Sequence, residues 1–146
     1  GDGNNNVTHS LIIACNKLNI PIIISCPNKK EYLPNKLIIG NCKYKYEKDP
    51  KKAVKNSSII YTDTWMSYQI PESKKSRRVK ELKSYQVNKK LFDINKEAFF
   101  MHCMPATRGE EVTDDVIDSE RSIVYEQAYN RLPIQQAILL KLINKK

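Results

Sequence analysis

The sequence lacks the features of a membrane or secreted protein. No stretch approaches the roughly 18 apolar residues that span a bilayer, and residues 1–10 show neither the basic start nor the apolar segment of a signal peptide. Hydrophobic residues make up 40% of the chain and charged residues 28%, as in ordinary globular domains. We therefore expect no membrane partner and a cytoplasmic location, or a mitochondrial matrix if a targeting segment precedes Gly1.

Closely spaced cysteine pairs are also missing. The four cysteines are Cys15, Cys26, Cys42 and Cys103, and no two of them form a CxxC pair. A zinc site or a thioredoxin-type redox site is therefore not expected. Cys15 and Cys26 lie in apolar runs and are expected to be buried, and in a reducing compartment all four are expected to be free thiols.

Positive charge is in excess, with a formal net charge of +9. The densest basic stretch, residues 74–90, contains no aromatic ladder for stacking on bases, apart from Tyr85. A charge run alone is more typical of a solvated helix face than of a nucleic-acid site. We expect no nucleic-acid partner, and salt-dependent binding to DNA would favour the alternative of a basic binding protein.

Strand and helix signals alternate along the chain. Short apolar, β-branched runs predict strands, and capping residues with apolar spacing predict helices. The predicted strands are residues 20–26, 42–46, 58–62, 98–103 and 122–125, and the predicted helices are residues 7–18, 49–56, 71–84, 87–95, 113–118 and 132–143. This alternation predicts one α/β domain over residues 1–146, Rossmann-like and three-layered, with a mostly parallel sheet. Because residues 1–3 (GDG) form a turn sequence that normally follows a strand, a first strand is expected before Gly1.

Polar residues follow the predicted strands, where ligands bind in open α/β sheets. Residues 1–6 (GDGNNN) precede a helix and suggest an anion site. Asn6 stands where the dinucleotide fingerprint GxGxxG has its third glycine, so a dinucleotide site is not expected. The alternatives are a polar turn with capping asparagines and a set of amide donors to a ligand carboxylate.

Three further residues carry possible chemistry. Asp63 ends a predicted strand, and a carboxylate there can hold a ligand ammonium or cap a turn. Cys103 ends another strand beside His102, which suggests a nucleophile, but adjacent strand residues point to opposite faces, so His102 is poorly placed as its base. A buried cysteine is the alternative. Arg131 is expected to open the last helix, where a guanidinium can bind a phosphate or polarise a carbonyl, and a surface arginine is the alternative.

The order and spacing of four segments resemble the ornithine carbamoyltransferase family. These segments are GDGNNNVTHS, TDTWMS, MHCMPATRGEEVTDDVID and YNRLPIQQAILL. The resemblance covers the whole chain and is strongest from Phe99 to Leu140, where HCMP is of the HCxP type while aspartate-using relatives carry an HPLP type. It implies the C-terminal, ornithine-binding domain of a two-domain enzyme, because the Ser-Thr-Arg-Thr and His-Pro motifs of the N-terminal carbamoyl-phosphate domain are absent.

The resemblance also implies a reaction. Carbamoyl phosphate would give its carbamoyl group to the δ-amine of L-ornithine, yielding L-citrulline and phosphate in arginine and citrulline metabolism, with no metal or organic cofactor. The implied ornithine-binding residues are Asn6, Asp63, Ser67 and Tyr68, and the implied carbamoyl-phosphate-binding residues are Cys103, Met104 and Arg131, of which Cys103 and Arg131 are also catalytic. The implied partners are the absent N-terminal domain and, at full length, further copies in a homotrimer.

The chain departs from the family at the loop that covers the amino-acid side chain. Residues 67–69 read Ser-Tyr-Gln where the family has Ser-Met-Gly. A carbamoyltransferase for another amine, putrescine or an acylated ornithine, is therefore one alternative, and a non-catalytic binding or regulatory paralogue is another. Retention of Asp63, Cys103 and Arg131 argues against the non-catalytic paralogue. The isolated chain is expected to be inactive.

Overall fold

The computed structural model describes residues 1–67 and 70–144. The helices are α1 (Asn6–Lys17), α2 (Lys36–Ile39), α3 (Pro50–Val54), α4 (Lys75–Leu82), α5 (Lys89–Phe92), α6 (Asp114–Ile117) and α7 (Val124–Ile143), with 3-10 turns at Glu72–Lys74 and Lys83–Tyr85. The strands are β1 (Ile23–Ile24), β2 (Lys45–Tyr46), β3 (Ile59–Thr62) and β4 (Phe99–His102). Side-chain caps explain two helix starts, because Asn5 accepts from the Thr8 N–H and Asp49 accepts from the Lys51 N–H.

The strands form two parallel pairs. β1 pairs with β2, and β3 pairs with β4 with Thr62 opposite His102. Parallel strands alternating with helices confirm the predicted α/β, Rossmann-like class. β1 and β2 are shorter than the segments that predicted them. An apolar run indicates which side chains are buried, whereas the length of a strand depends on backbone hydrogen bonds to a neighbouring strand.

β3 and β4 have two different faces. Alternate residues of the two strands are buried on one face, namely Ile60, Thr62, Phe100 and His102. Tyr61 and Met101 therefore lie on the other face, as do Asp63 and Cys103, which follow the strands. Side chains from two neighbouring strand ends thus meet on the less buried face.

Two apolar clusters hold these elements together. One lies against β3 and β4 and contains Val54, Ile60, Val87, Leu91, Phe92, Ala98, Phe100, Val112, Val116, Ile117 and Val124. The other joins residues of α1, β1 and α4 and contains Ile12, Ile24, Cys26, Tyr32, Ile39, Trp65, Leu82 and Tyr85. Trp65 follows Asp63 by two residues and is fully buried, so packing fixes the path of the chain as it leaves β3. Cys26 is buried as predicted, Cys15 is only half-buried, and all four cysteines are free thiols.

The last helix begins earlier than predicted. α7 starts at Val124 rather than near Leu132, so the predicted strand at residues 122–125 is wrong apart from one isolated bridge to β4. The apolar spacing that predicted this helix lies in its C-terminal part, and Pro133, a residue type that favours the first turn of a helix, here lies inside α7. Like the other helices of the described residues, α7 is not long and apolar enough to cross a membrane.

Gly3 lies where the N-terminal turn packs closely against the backbone of Tyr32. A Cβ built on Gly3 would lie 2.6 Å from the Tyr32 carbonyl oxygen, which forces the backbone to move. We expect Gly3→Ala to lower the free energy of unfolding by roughly 1–3 kcal/mol, measured by urea denaturation. Ser10→Ala, at an exposed position of α1, is the matched control and should be nearly neutral. An unchanged urea midpoint for Gly3→Ala would show that the turn is not held against Tyr32.

Candidate functional site

Asp63 and Cys103 meet where β3 and β4 end. The Cys103 thiol donates a hydrogen bond to Asp63 Oδ1 at 2.9 Å, and the Thr64 N–H donates to the same oxygen at 2.7 Å. Among the described residues nothing donates to the other carboxylate oxygen, so it is available to a ligand. Parallel register therefore brings together two sequence-predicted residues that lie far apart in the chain.

The surroundings keep the Cys103 thiol protonated. Burial and the hydrogen bond and charge of Asp63 raise the pKa of Cys103 to about 12. A thiol with such a pKa is a poor nucleophile at neutral pH, because the thiolate is the reactive form. Cys103 therefore donates a hydrogen bond to the Asp63 carboxylate and can present its sulfur to a ligand while it keeps its proton.

His102 faces away from Cys103, as strand alternation predicts. Its Nε2 lies 3.3 Å from Glu111 Oε1, and both side chains are fully buried. Its Nδ1 accepts the Met104 N–H at 2.9 Å. His102 is therefore not the base for Cys103 and instead holds the backbone of Met104, which has a φ of 57° and precedes a cis bond to Pro105. Sequence reasoning missed Glu111, because no local pattern marks a carboxylate for burial.

A buried ion pair joins the N-terminal turn to the loop after β3. Asp2 pairs with Arg78 of α4, and each side chain is only 5% exposed. Arg78 Nε donates to the Trp65 carbonyl at 3.0 Å, and its guanidinium lies 4.9 Å from the centre of the Tyr32 ring. The prediction of a solvated basic face is thus wrong for Arg78, while most of its basic neighbours on the helix are exposed.

The asparagines of the turn have separate roles. Asn5 caps α1 and also donates from Nδ2 to the Asp2 carbonyl at 2.9 Å, so the capping interpretation is confirmed for this residue. Asn6 opens α1, is exposed, and makes no side-chain hydrogen bond with the described residues. Ser67 is half-buried and its carbonyl accepts the Ile70 N–H at 2.9 Å. Tyr68 lies outside the described residues.

Arg131 is not brought to the other candidates. It lies inside α7 rather than at its start, is exposed, and makes no hydrogen bond or ion pair with the described residues. Sequence reasoning placed it at a helix N-terminus because the start of α7 was predicted too late. It also missed Gln127, one turn earlier, whose amide contacts Tyr61 and His102.

The chain matches a known protein family over nearly its whole length. The model of the aspartate/ornithine carbamoyltransferase Asp/Orn-binding domain matches residues 1–142. The chain belongs to this family. This confirms the resemblance found in the sequence.

Individual relatives agree with the family match. The chain is 44% identical to the ornithine carbamoyltransferase of Archaeoglobus fulgidus, over 99% of this chain and 48% of that protein. Among solved structures, it aligns with the ornithine transcarbamoylase of Giardia lamblia at a TM-score of 0.89 and 34% identity, over 100% of this chain and 49% of that one. The Pyrococcus furiosus ornithine carbamoyltransferase aligns at a TM-score of 0.83 and 44% identity, over 95% of this chain and 46% of that one. The chain thus spans about half the length of these relatives.

The Cys103–Asp63 contact predicts a pH effect in this carbamoyltransferase-family chain. Asp63→Asn removes the negative charge that disfavours the Cys103 thiolate, so the pKa of Cys103 should fall. We expect the pH profile of Cys103 alkylation by iodoacetamide, followed by peptide mass spectrometry, to shift to lower pH. Asp115→Asn, which removes an exposed carboxylate on α6, is the matched control and should leave the profile in place. The same profile in the Asp63 variant would contradict the contact.

Proposed function

We propose that this chain is the amino-acid-binding half of an ornithine carbamoyltransferase. The whole enzyme would transfer the carbamoyl group of carbamoyl phosphate to the δ-amine of L-ornithine, giving L-citrulline and phosphate. The observation that carries the proposal is the Asp63–Cys103 contact at the adjacent ends of β3 and β4. The names of the relatives that align over nearly the whole chain support the same substrate.

Asp63 would bind the amino-acid substrate. One of its carboxylate oxygens is occupied by Cys103 and Thr64, and the other can accept a charge-assisted hydrogen bond from the α-ammonium of ornithine. Asn6 lies exposed at the start of α1 and Ser67 is half-buried after β3, so both can add polar contacts to the substrate. The amino acid would thereby be held with its side chain directed towards Cys103.

The carbamoyl transfer itself would proceed at the Cys103–Met104 end of β4. The uncharged δ-amine would attack the carbamoyl carbon, the carbon–oxygen bond to phosphate would break, and the amine nitrogen would give up a proton to the departing phosphate. Holding the two substrates together supplies roughly 7–11 kcal/mol in well-oriented reactions. A protonated thiol at Cys103 would contact the amine without forming a covalent bond, and the backbone of Met104 would contact the carbamoyl group.

Arg131 would join the site only when a second domain is present. Every residue of α7 from Ala128 to Ile143 is exposed, including Leu132, Ile138 and other apolar side chains. Apolar surface of this extent is typical of an interface. We propose that a carbamoyl-phosphate-binding domain, in the half of the relatives that this chain does not span, packs on α7 and brings carbamoyl phosphate to Arg131. A homotrimer of the full-length protein is part of the same proposal.

A second candidate is a carbamoyltransferase for another amine. Residues 67–69 (Ser-Tyr-Gln) depart from the family sequence in the loop that would cover the substrate side chain. The full-length protein should form citrulline from ornithine and carbamoyl phosphate, measured colorimetrically. Carbamoylation of putrescine or N-acetylornithine without citrulline would favour the second candidate, and no carbamoylation of any of the three would favour a non-catalytic paralogue.

The role of Asp63 makes a kinetic prediction for the full-length protein. Asp63→Asn removes a charge-assisted hydrogen bond worth about 1.5–3 kcal/mol, so we expect the KM for ornithine to rise about 10- to 100-fold. The KM for carbamoyl phosphate should change little. Asp115→Asn serves again as the control for loss of a carboxylate. Equal increases for both substrates would refute the assignment of Asp63 to the amino acid.

A further inference from the structure

Gln127 connects three elements through one side-chain amide. Its Nε2 donates to the Tyr61 hydroxyl of β3 at 2.9 Å, and its Oε1 accepts the backbone N–H of His102 of β4 at 3.1 Å. Both ends of the amide are therefore used, and α7 is tied to each of the two strands whose ends carry Asp63 and Cys103.

The two hydrogen bonds of this amide are placed to set the rotation of α7 about its axis. Val124 is buried in the core under β4. A non-directional apolar contact of this kind holds the helix against the sheet, but it constrains the rotation of the helix about its axis less than a hydrogen bond does. From Ala128 to Ile143 the helix is exposed. Gln127 is therefore the last residue of α7 that makes a polar contact with the described strands. Gln127 and Arg131 are four residues apart and share one helix face. A fixed Gln127 side chain would therefore also fix the side of α7 from which Arg131 projects.

Tyr61 lies on the same face of the two strands as Asp63 and Cys103, because alternate strand residues share a face. Its hydroxyl accepts a hydrogen bond from Gln127 Nε2, and burial is the main cause that raises the pKa of Tyr61 to about 12. Gln127 also accepts the N–H of His102, the residue directly before Cys103. Cys103 in turn donates to Asp63, so Gln127 holds both the tyrosine on this face and the backbone beside Cys103.

We infer that Gln127 and Tyr61 are positioning residues that orient Arg131 and Cys103 relative to each other. This inference rests on the proposed function, because it assigns Arg131 to carbamoyl phosphate and Cys103 to the amine. Neither residue touches the reacting atoms, so their effect is on geometry. Sequence patterns do not mark either residue, since Tyr61 resembles an ordinary strand residue and Gln127 lies in a segment predicted as loop.

The kinetic test uses two substitutions in the full-length protein. Gln127→Met keeps the side-chain length and removes both hydrogen bonds, and Tyr61→Phe removes only the hydroxyl. We expect each to lower kcat/KM for carbamoyl phosphate by about tenfold or more, since misplacement of about 1 Å can cost 100-fold, while the KM for ornithine stays within about twofold. Tyr44→Phe, at a half-buried tyrosine whose hydroxyl has no hydrogen-bond partner among the described residues, is the matched control and should behave as wild type.

Amide hydrogen exchange gives a second measurement that does not require activity. Exchange of residues 124–131 should be faster in Gln127→Met and Tyr61→Phe than in wild type. The His102 N–H, which loses its acceptor in Gln127→Met, should also exchange faster in that variant, while the other β4 amides stay unchanged. The inference is overturned if the exchange of α7 is unchanged or if kcat/KM falls equally for ornithine and carbamoyl phosphate. It is also overturned if α7 exchanges faster in an active enzyme whose kcat/KM for carbamoyl phosphate is unchanged. A wild-type protein that carbamoylates no amine would refute the proposed function instead, and the exchange data would still decide whether Gln127 holds α7.

Discussion

The buried ion pair between Asp2 and Arg78 is the interaction on which the site geometry depends. Removing two charges from water costs several kcal/mol per ion, and the pair is tolerated because good geometry and further hydrogen bonds offset that cost. Here the Trp65 carbonyl and the Tyr32 ring complete the surroundings of the guanidinium. The loss of either partner would leave an uncompensated buried charge, at a cost of about 3–5 kcal/mol. The turn before α1 and the loop after β3 are consequently held at a fixed separation, and candidate substrate contacts lie on both.

His102 and Cys103, at the end of β4, lie on opposite faces and have different roles. His102 points into the protein, towards Glu111, and its ring accepts the Met104 N–H. Cys103 points the other way, towards Asp63. Because strand residues alternate between faces, a buried residue that shapes the backbone can stand directly beside one that faces a ligand. The buried face thus stabilises the conformation that the open face presents.

The sequence predicted those parts of the structure that depend on local signals or on strand order. The Asn5 and Asp49 caps follow from short-range spacing, and the location of Asp63 and Cys103 at the ligand-binding edge follows from the order of parallel strands, although their direct contact was not predicted. The burial of Arg78 and Glu111 could not be predicted, because it depends on which helix face turns inward after distant segments have packed. The predicted start of α7 was too late, because the apolar spacing that predicted the helix lies only in its C-terminal part. Gln127 was missed as a direct result.

A rigid α7 that tilts about Gln127 would act as a lever with that residue as its pivot. With a rise of about 1.5 Å per residue, Arg131 lies about 6 Å from that pivot and Ile143 about 24 Å. A tilt of about 10° would therefore move the far end by about 4 Å and Arg131 by only about 1 Å. A large displacement of anything packed on the exposed end is thus reduced roughly fourfold at the arginine. Such a ratio would convert a coarse movement of the proposed second domain into a fine adjustment of one side chain.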